Sequence, residues 1–227
     1  MQTAILAGGV GTRLRPLTYK IPKPMVPVRG KPFLEHQIEF VKSQGFADIL
    51  ILASYLGEQI EEYFGDGSSL GIKMAYSYEE SPMGTGGALK IADRLLKESF
   101  LLLNGDTLLP IDYRDLCGRY AAGGRSGMIV AYGNEEKVAP SNLKIGSGDE
   151  VLEYNKINAE GMTHLDAGAI VLEKKGVDMI PAGKICSLEQ EIFPRLIEGG
   201  ELLAFRTARR FYDMGSFEGL KNIEQVL

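Results

Sequence analysis

Thr3-Ala4-Ile5-Leu6-Ala7-Gly8-Gly9-Val10-Gly11-Thr12-Arg13 frames the whole chain, because an apolar run passes without a break into a turn of three glycines and a cation. A short apolar run closed by turn residues reads as a buried strand. Glycines at its end let backbone N–H groups come close to a phosphate or a base. Two familiar phosphate motifs are excluded. The dinucleotide fingerprint needs glycine at position 14, where Leu14 stands, and an acidic residue near the end of the second strand, where Ser54 and Tyr55 stand. The P-loop needs Gly-Lys followed by Ser or Thr, and Gly30-Lys31 leads instead into Pro32.

Working outward, residues 3–6, 49–53, 73–76, 100–103 and 128–131 read as strands. Between them Phe33, Leu34, Gln37, Ile38 and Val41 recur at helical spacing, and so do Ala88, Leu89, Ile91, Ala92, Leu95 and Leu96. The alternation predicts an α/β fold, a Rossmann-like three-layer α/β/α sandwich around a mostly parallel mixed sheet. Beyond Ser141 the pattern changes. Residues 142–145 and 151–154 flank Gly146-Ser147-Gly148-Asp149 like a hairpin, a small β-rich insertion. Further strands are expected at 165–172 and 202–206. Ser187-Leu188-Glu189-Gln190 has capping-box spacing before Ile192, Leu196 and Ile197, and Phe211-Tyr212-Asp213 leads to a closing helix. With no internal repeat and no long linker, one domain over 1–227 is expected.

Of 227 residues, 44% are hydrophobic and 24% charged, which is ordinary for a globular domain and excludes a disordered or collagen-like chain. The net charge of −5 lacks the basic excess of a nucleic-acid binder, so an anionic ligand must be met by locally placed cations. Cys117 and Cys186 lack metal-ligand spacing, and His36 and His164 are too few for a histidine metal site. No basic leader and no run of 18 apolar residues is present, so a cytoplasmic protein without a membrane role is expected.

The loop carries Arg13, Arg15, Lys20 and Lys23, and Pro22 and Pro24 hold Lys23 on a stiff segment. A run of cations is either a solvated face or an anion site, and the flanking prolines favour the second reading. Asn104-Gly105-Asp106-Thr107 closes the strand at 100–103, which puts Asp106 at a carboxyl end, where open α/β sheets bind ligands. A capping aspartate in a turn fits the same residues. Glu79-Glu80-Ser81-Pro82-Met83-Gly84-Thr85-Gly86-Gly87-Ala88-Leu89 reads as a helix start with an acidic lead-in.

The run from Leu6 to Thr18, followed by Pro22-Lys23-Pro24-Met25, resembles the signature of the sugar-1-phosphate nucleotidylyltransferases, also called nucleotide-sugar pyrophosphorylases. It is most similar to short heptose- and mannose-1-phosphate guanylyltransferases. The resemblance implies the nucleotide-diphospho-sugar transferase fold and the reaction of a nucleoside triphosphate with a sugar 1-phosphate to give an NDP-sugar and pyrophosphate. It implies that Leu6, Ala7, Gly8, Gly9, Gly11 and Thr12 wrap the triphosphate, and that Arg13, Lys23 and Asp106 are catalytic. Mg2+ is then held by Asp106 and Asp213.

The segment at 79–89 resembles the family's base-binding stretch, with Glu79, Gly84 and Thr85 on the nucleotide. A glutamate accepts from guanine N1–H and N2–H2, or from the single N3–H of uracil or thymine, which favours GTP and leaves UTP or dTTP as the alternative. Glu153-Tyr154-Asn155-Lys156 stands where the family often carries Glu-Lys-Pro, and Leu165-Asp166-Ala167-Gly168 where it often carries Asn-Ala-Gly. Glu153, Lys156, Asp166 and Gly105 are therefore expected on the sugar phosphate. Members are often homo-oligomers. A glycosyltransferase of similar fold would carry Asp-x-Asp, which Asp106-Thr107-Leu108 is not. An inactive nucleotide-sugar sensor is the other rival, and Arg13, Lys23, Asp106 and Asp213 together argue against it.

Overall fold

Apolar residues alternating with turn glycines in the first half of the chain produce strand, crossover helix and strand in succession. The computed structural model describes residues 1–227. β1 (Gln2–Leu6) leads through 3-10 turns at Thr12–Leu14, Leu17–Tyr19 and Lys23–Met25 to a ribbon of β2 (Pro27–Val28) and β3 (Lys31–Pro32). There follow α1 (Phe33–Ser43), β4 (Asp48–Ala53), α2 (Glu58–Phe64), β5 (Lys73–Tyr78), α3 (Gly84–Ile91), β6 (Ser99–Asn104), β7 (Thr107–Leu108), α4 (Tyr113–Gly123) and β8 (Gly127–Gly133). The second half adds β9 (Leu143–Ile145), β10 (Val151–Tyr154), β11 (His164–Glu173) and α5 (Lys174–Asp178). A π-helical turn at Leu188–Ile192 then runs into α6 (Phe193–Glu198), followed by β12 (Leu202–Thr207), β13 (Tyr212–Asp213) and α7 (Phe217–Val226).

The main sheet runs β12-β8-β11-β6-β1-β4-β5, and β11 alone is antiparallel to its neighbours. The β9–β10 hairpin joins at the start of β11, where His164 pairs with Leu143. Alternation along each strand divides the core. Ile5, Ile49, Ile51, Leu101 and Leu103 face α1, α2 and α4, whereas Ala4, Leu50, Leu52, Phe100 and Leu102 face α3 and α6. The three-layer mixed sheet expected from the sequence is present. No helix is long and apolar enough to cross a membrane.

From β1 the chain steps outward to β4 and β5, then returns to pair β6 on the other flank of β1. This is a topological switch point, where the loops leaving two adjacent parallel strands diverge and open a crevice. Gly105 makes the crossing possible. A Cβ there would lie 2.6 Å from the Leu6 carbonyl oxygen, which instead accepts the Gly105 N–H at 2.9 Å.

Three local expectations need correction. The helix expected through Leu96 stops at Ile91 and tightens into turns, so Ala92 and Leu96 stay buried while Ile91 and Leu95 are exposed. Helices α2 and α4 carry few apolar residues and were not anticipated, although Asp112 caps α4 by accepting from the Arg114 and Asp115 N–H groups. The Ser187 cap forms, accepting from the Gln190 N–H, but the reciprocal bond comes from Glu191, whose Oε1 accepts the Ser187 N–H at 2.9 Å. The turn it caps is π-helical, which is wider than the α-helix for which that spacing is written.

Buried Gln37 on α1 braces the loop after β6. Its Nε2 donates to the carbonyl oxygens of Asn104 and Thr107, both at 2.9 Å, and so straddles Gly105-Asp106. Gln37→Leu leaves two carbonyls without a partner while removing the buried, unpaired Oε1. The two losses outweigh the one relief, and the variant should be less stable by about 1–3 kcal/mol in urea unfolding. A wild-type midpoint would show that the clamp contributes nothing.

Candidate active site

The crevice at the switch point is a cleft of about 390 Å³, within the range of small-molecule sites. Its walls come from the ends of β1, β5 and β6 and from the start of α3: Leu6, Gly8, Gly9 and Val10, then Glu79, Pro82, Gly84 and Thr85, then Asn104, Gly105 and Asp106. Lys23, Pro24 and Glu189 complete it.

Lys23 is the buried cation of the cleft, with its side chain 10% exposed. The 3-10 turn behind Pro22 holds its backbone, and its stem lies on Gly11, where a Cβ would stand 3.1 Å from Lys23 Cβ. Gly11 also has φ +64°, a conformation that favours glycine. The Lys23 ammonium pairs with Asp106 and lies 3.9 Å from Asp213 Oδ1. Arg13 Nη2 reaches Asp213 Oδ2 at 3.9 Å from the solvent side. Asp213 is itself fixed by the Gly215 N–H, donated to Oδ1 at 2.6 Å.

Nothing local to residues 106 and 213 brings them together; a short ribbon does. β13 pairs antiparallel with β7, matching Asp213 to Thr107 and Tyr212 to Leu108, and the Met214 N–H donates to the Asp106 carbonyl at 2.9 Å. A small third apolar cluster secures the ribbon. Met214 and Leu108 pack with Leu14 and Val26 of the signature loop, Phe33 of α1 and Ile223 of α7. The two carboxylates thus converge on one cation position. No group of three or more His, Cys, Asp or Glu side chains suits a metal, so the protein offers a pair of carboxylates and leaves further ligands to a substrate and water. That donor set fits Mg2+, which is commonly held by one or two carboxylates plus phosphate oxygens.

The opposite side of the cleft carries a different charge. Glu79, at the end of β5, accepts the Met83 N–H on Oε2 at 2.6 Å. Burial raises its carboxyl above the ordinary glutamate range, against the pull of that hydrogen bond. Thr85 also lines the cleft, but its hydroxyl donates to Glu189 Oε2 at 2.6 Å and accepts the Leu188 N–H at 2.9 Å. The N–H groups of Gly86 and Gly87 both go to the Cys186 carbonyl.

Not every expected residue reaches the cleft. Ala7, Gly11, Thr12, Arg13 and Asp213 are absent from its walls, the last two standing just outside beside Lys23. Ala7 is buried in the strand extension, where its N–H donates to Leu52, and Gly11 supports Lys23 from behind. Arg15 lies outside, over the Tyr19 ring. His36 bonds the Val28 carbonyl and serves the fold.

Beside the main cleft, Asp166 is half-buried: its Oδ2 accepts the Tyr154 hydroxyl and its Oδ1 the Gly168 N–H, both at 2.9 Å. Burial raises its carboxyl above the usual range, opposed by those bonds. It opens on a smaller recess that shares Leu6, Asn104 and Glu189 with the main cleft. Lys156 stands at the rim, 3.3 Å from Glu189 Oε1. Glu153 is exposed on β10 and lines neither cavity, because on this strand Val151 and Tyr154 take the buried positions. The expected sugar contact of Glu153 has no counterpart in this geometry.

Glu189 and Asn104 are the polar cleft residues that sequence reading missed. Glu189 was legible only as a member of a capping box, and no spacing connects it to Thr85 across 104 positions.

The chain has relatives among known proteins. The sequence profile of the family described as nucleotidyl transferase matches residues 2–154. Mannose-1-phosphate guanylyltransferase of Mycobacterium tuberculosis is 32% identical over 222 residues, covering 96% of this chain and 62% of that protein. D-glycero-alpha-D-manno-heptose 1-phosphate guanylyltransferase of Campylobacter jejuni is 48% identical over 116 residues, 51% of this chain and 52% of that protein. The chain therefore spans between half and two thirds of the length of these curated relatives. The crystal structure of HddC from Yersinia pseudotuberculosis complexed with GMP-PN matches with a TM-score of 0.85 at 29% identity, covering 99% of this chain and 98% of that one. A family match that takes in the glycine turn, Lys23, Glu79 and Asp106, on a fold shared from end to end with HddC, places the chain in the nucleotidyl transferase family.

Proposed function

We propose that residues 1–227 form one catalytic domain that transfers a guanylyl group from GTP to a heptose or mannose 1-phosphate, releasing pyrophosphate. The observation that carries this reading is the division of charge in the cleft. Lys23 meets Asp106 at one end, with Asp213 and Arg13 just outside the wall, while Glu79 lines the wall that leads into α3. Polyphosphate suits the first end, and a base presenting N–H donors suits the second. The mannose and heptose 1-phosphate guanylyltransferases among the relatives, by their names, support GTP and these sugars.

In the reaction, an oxygen of the sugar phosphate attacks the α-phosphorus in line, a P–O bond forms there, and the bond to the β-phosphate breaks. No general base is required, because a phosphate monoester with a second pKa of about 6 is already largely dianionic at neutral pH. Two polyanions must be brought together, so orientation and charge cancellation supply most of the acceleration. Lys23, stiffly held, neutralises charge on the transferred phosphate, and Arg13 does so from the solvent side. Asp106 and Asp213 would hold Mg2+, which when bound neutralises charge on phosphate oxygens. Glu79 has spent one acceptor position on Met83 and keeps others for guanine N1–H and N2–H2.

The test is a matrix of nucleoside triphosphates against sugar 1-phosphates, followed by pyrophosphate release. GTP with mannose or heptose 1-phosphate should be fastest. A preference for UTP or dTTP overturns the guanine assignment, and no release with any pair overturns the enzyme reading in favour of a nucleotide-sugar sensor. Lys23→Ala should lower kcat on the order of 10²–10³-fold with a smaller change in KM for GTP. Asp106→Asn and Asp213→Asn should each lose most turnover with far-UV circular dichroism unchanged, and near-wild-type rates at saturating Mg2+ would remove that residue from the site.

Glu79→Gln should reduce discrimination between GTP and pyrimidine nucleotides more than it reduces overall activity. It should also stabilise the free protein at neutral pH. A raised folded-state carboxyl pKa opposes folding above the unfolded value of about 4.3, and this penalty fades as pH falls through that value. Thermal melts at pH 7 and pH 4 check the sign: the variant's advantage should be present at pH 7 and shrink at pH 4.

A further inference from the structure

Glu189 is a fixed carboxylate in the cleft with no assigned task. Its Oε2 accepts the Thr85 hydroxyl at 2.6 Å and the Ser187 hydroxyl at 2.7 Å, and Lys156 lies 3.3 Å from Oε1. Burial works to raise its carboxyl. The Thr85 hydroxyl, Lys156 and the Ser187 hydroxyl outweigh that effect and hold it below the ordinary glutamate range, so it is ionised at neutral pH. An ionised carboxylate only accepts hydrogen bonds, so its ligand must donate them.

The position narrows the donor further. Glu189 lines both the main cleft and the smaller recess beside Asn104, Asp166 and Gly168, and that recess includes neither Glu79 nor Pro82. Base N–H donors belong with Glu79, and phosphates belong with Lys23 and Arg13. What remains for an anionic acceptor is a neutral, hydroxyl-bearing ring, and the recess on the side away from Glu79 favours the second substrate over the ribose of the nucleotide. Oε1, which accepts only from the Lys156 ammonium at 3.3 Å, keeps spare acceptor capacity, whereas Oε2 already takes two hydroxyls.

We propose that Glu189 is a specificity-determining residue that accepts hydrogen bonds from ring hydroxyls of the sugar 1-phosphate, with Lys156 holding it from the rim by donating to Oε1. This inference rests on the nucleotidylyl-transfer reading for its substrate, and it needs Glu189, not Glu153, on the sugar.

Glu189→Gln keeps the shape and one acceptor oxygen while removing the charge, and Glu189→Asp shortens the arm but keeps the charge. With the full chain, KM for mannose 1-phosphate should rise about 10- to 100-fold in Glu189→Gln, the loss expected for a charge-assisted hydrogen bond, while KM for GTP stays within about twofold. Glu189→Asp should recover part of the loss. Monodeoxy mannose 1-phosphates identify the contact, because the analogue lacking the hydroxyl read by Glu189 should be insensitive to the substitution.

An equal rise in KM for GTP, abolished with 2′-deoxy-GTP, would assign Glu189 to the ribose and overturn the proposal. A fall in melting temperature with both KM values unchanged would also overturn it, leaving Glu189 as a brace between α3 and the π-helical turn. Calorimetric titration of mannose 1-phosphate into the protein loaded with a non-hydrolysable GTP analogue separates this inference from the reaction itself. Weaker binding to Glu189→Gln supports the sugar contact even if no pyrophosphate is released, and equal binding refutes it even if turnover is normal.

Discussion

The structure turns on a buried ammonium, that of Lys23, held between carboxylates from the middle and the far end of the chain. A cation removed from water is costly unless it is paired in good geometry, and losing either partner leaves an uncompensated charge. Much of the molecule around the cleft serves this one requirement. Pro22 and Gly11 hold the lysine backbone and stem, Gln37 braces the Asp106 loop from α1, and the β7–β13 ribbon carries Asp213 to it. The third apolar cluster ties the ribbon to the signature loop, so the charged site is held by packing of Leu14, Phe33, Met214 and Ile223.

The same constraint distributes the charged groups of the cleft unevenly. The cation Lys23 stands at one end, with Arg13 just outside the wall, among carboxylates that suit a divalent cation. The remaining carboxylates, Glu79 and Glu189, are separately held by a backbone N–H and by two hydroxyls. Each accepting group is fixed before any ligand arrives. Preorganised groups of this kind need little rearrangement on binding, and this is where a transfer enzyme gains rate and selectivity.

Legibility from sequence followed the range of the interactions. The glycine turn, the proline-flanked lysine and Asp106 at a strand end are local patterns with local physical causes, and each lies where its pattern implied. The long apolar strands were equally readable, because burial on both faces demands continuous hydrophobic runs. Helices α2 and α4 were not, since Ile60 with Phe64, and Leu116 with Tyr120, give too thin an apolar stripe to stand out from sequence alone. Glu153 shows the reverse failure, for a break in register between Val151 and Glu153 interrupts the alternation on β10, leaving Val151 and Tyr154 buried and Glu153 exposed.

By itself, the sequence determined the layered α/β architecture, the glycine-rich loop after β1 and the identity of its cations, because strand and turn chemistry act over a few residues. Tertiary structure alone decided that Asp213 joins Asp106, that Thr85 is engaged by Glu189, and that Asp166 is closed in by Tyr154. Those pairs are separated by 107, 104 and 12 positions (213 − 106, 189 − 85 and 166 − 154), and no periodicity spans such gaps. They come together through sheet order and the packing of α7 and the π-helical turn, which depend on the core as a whole.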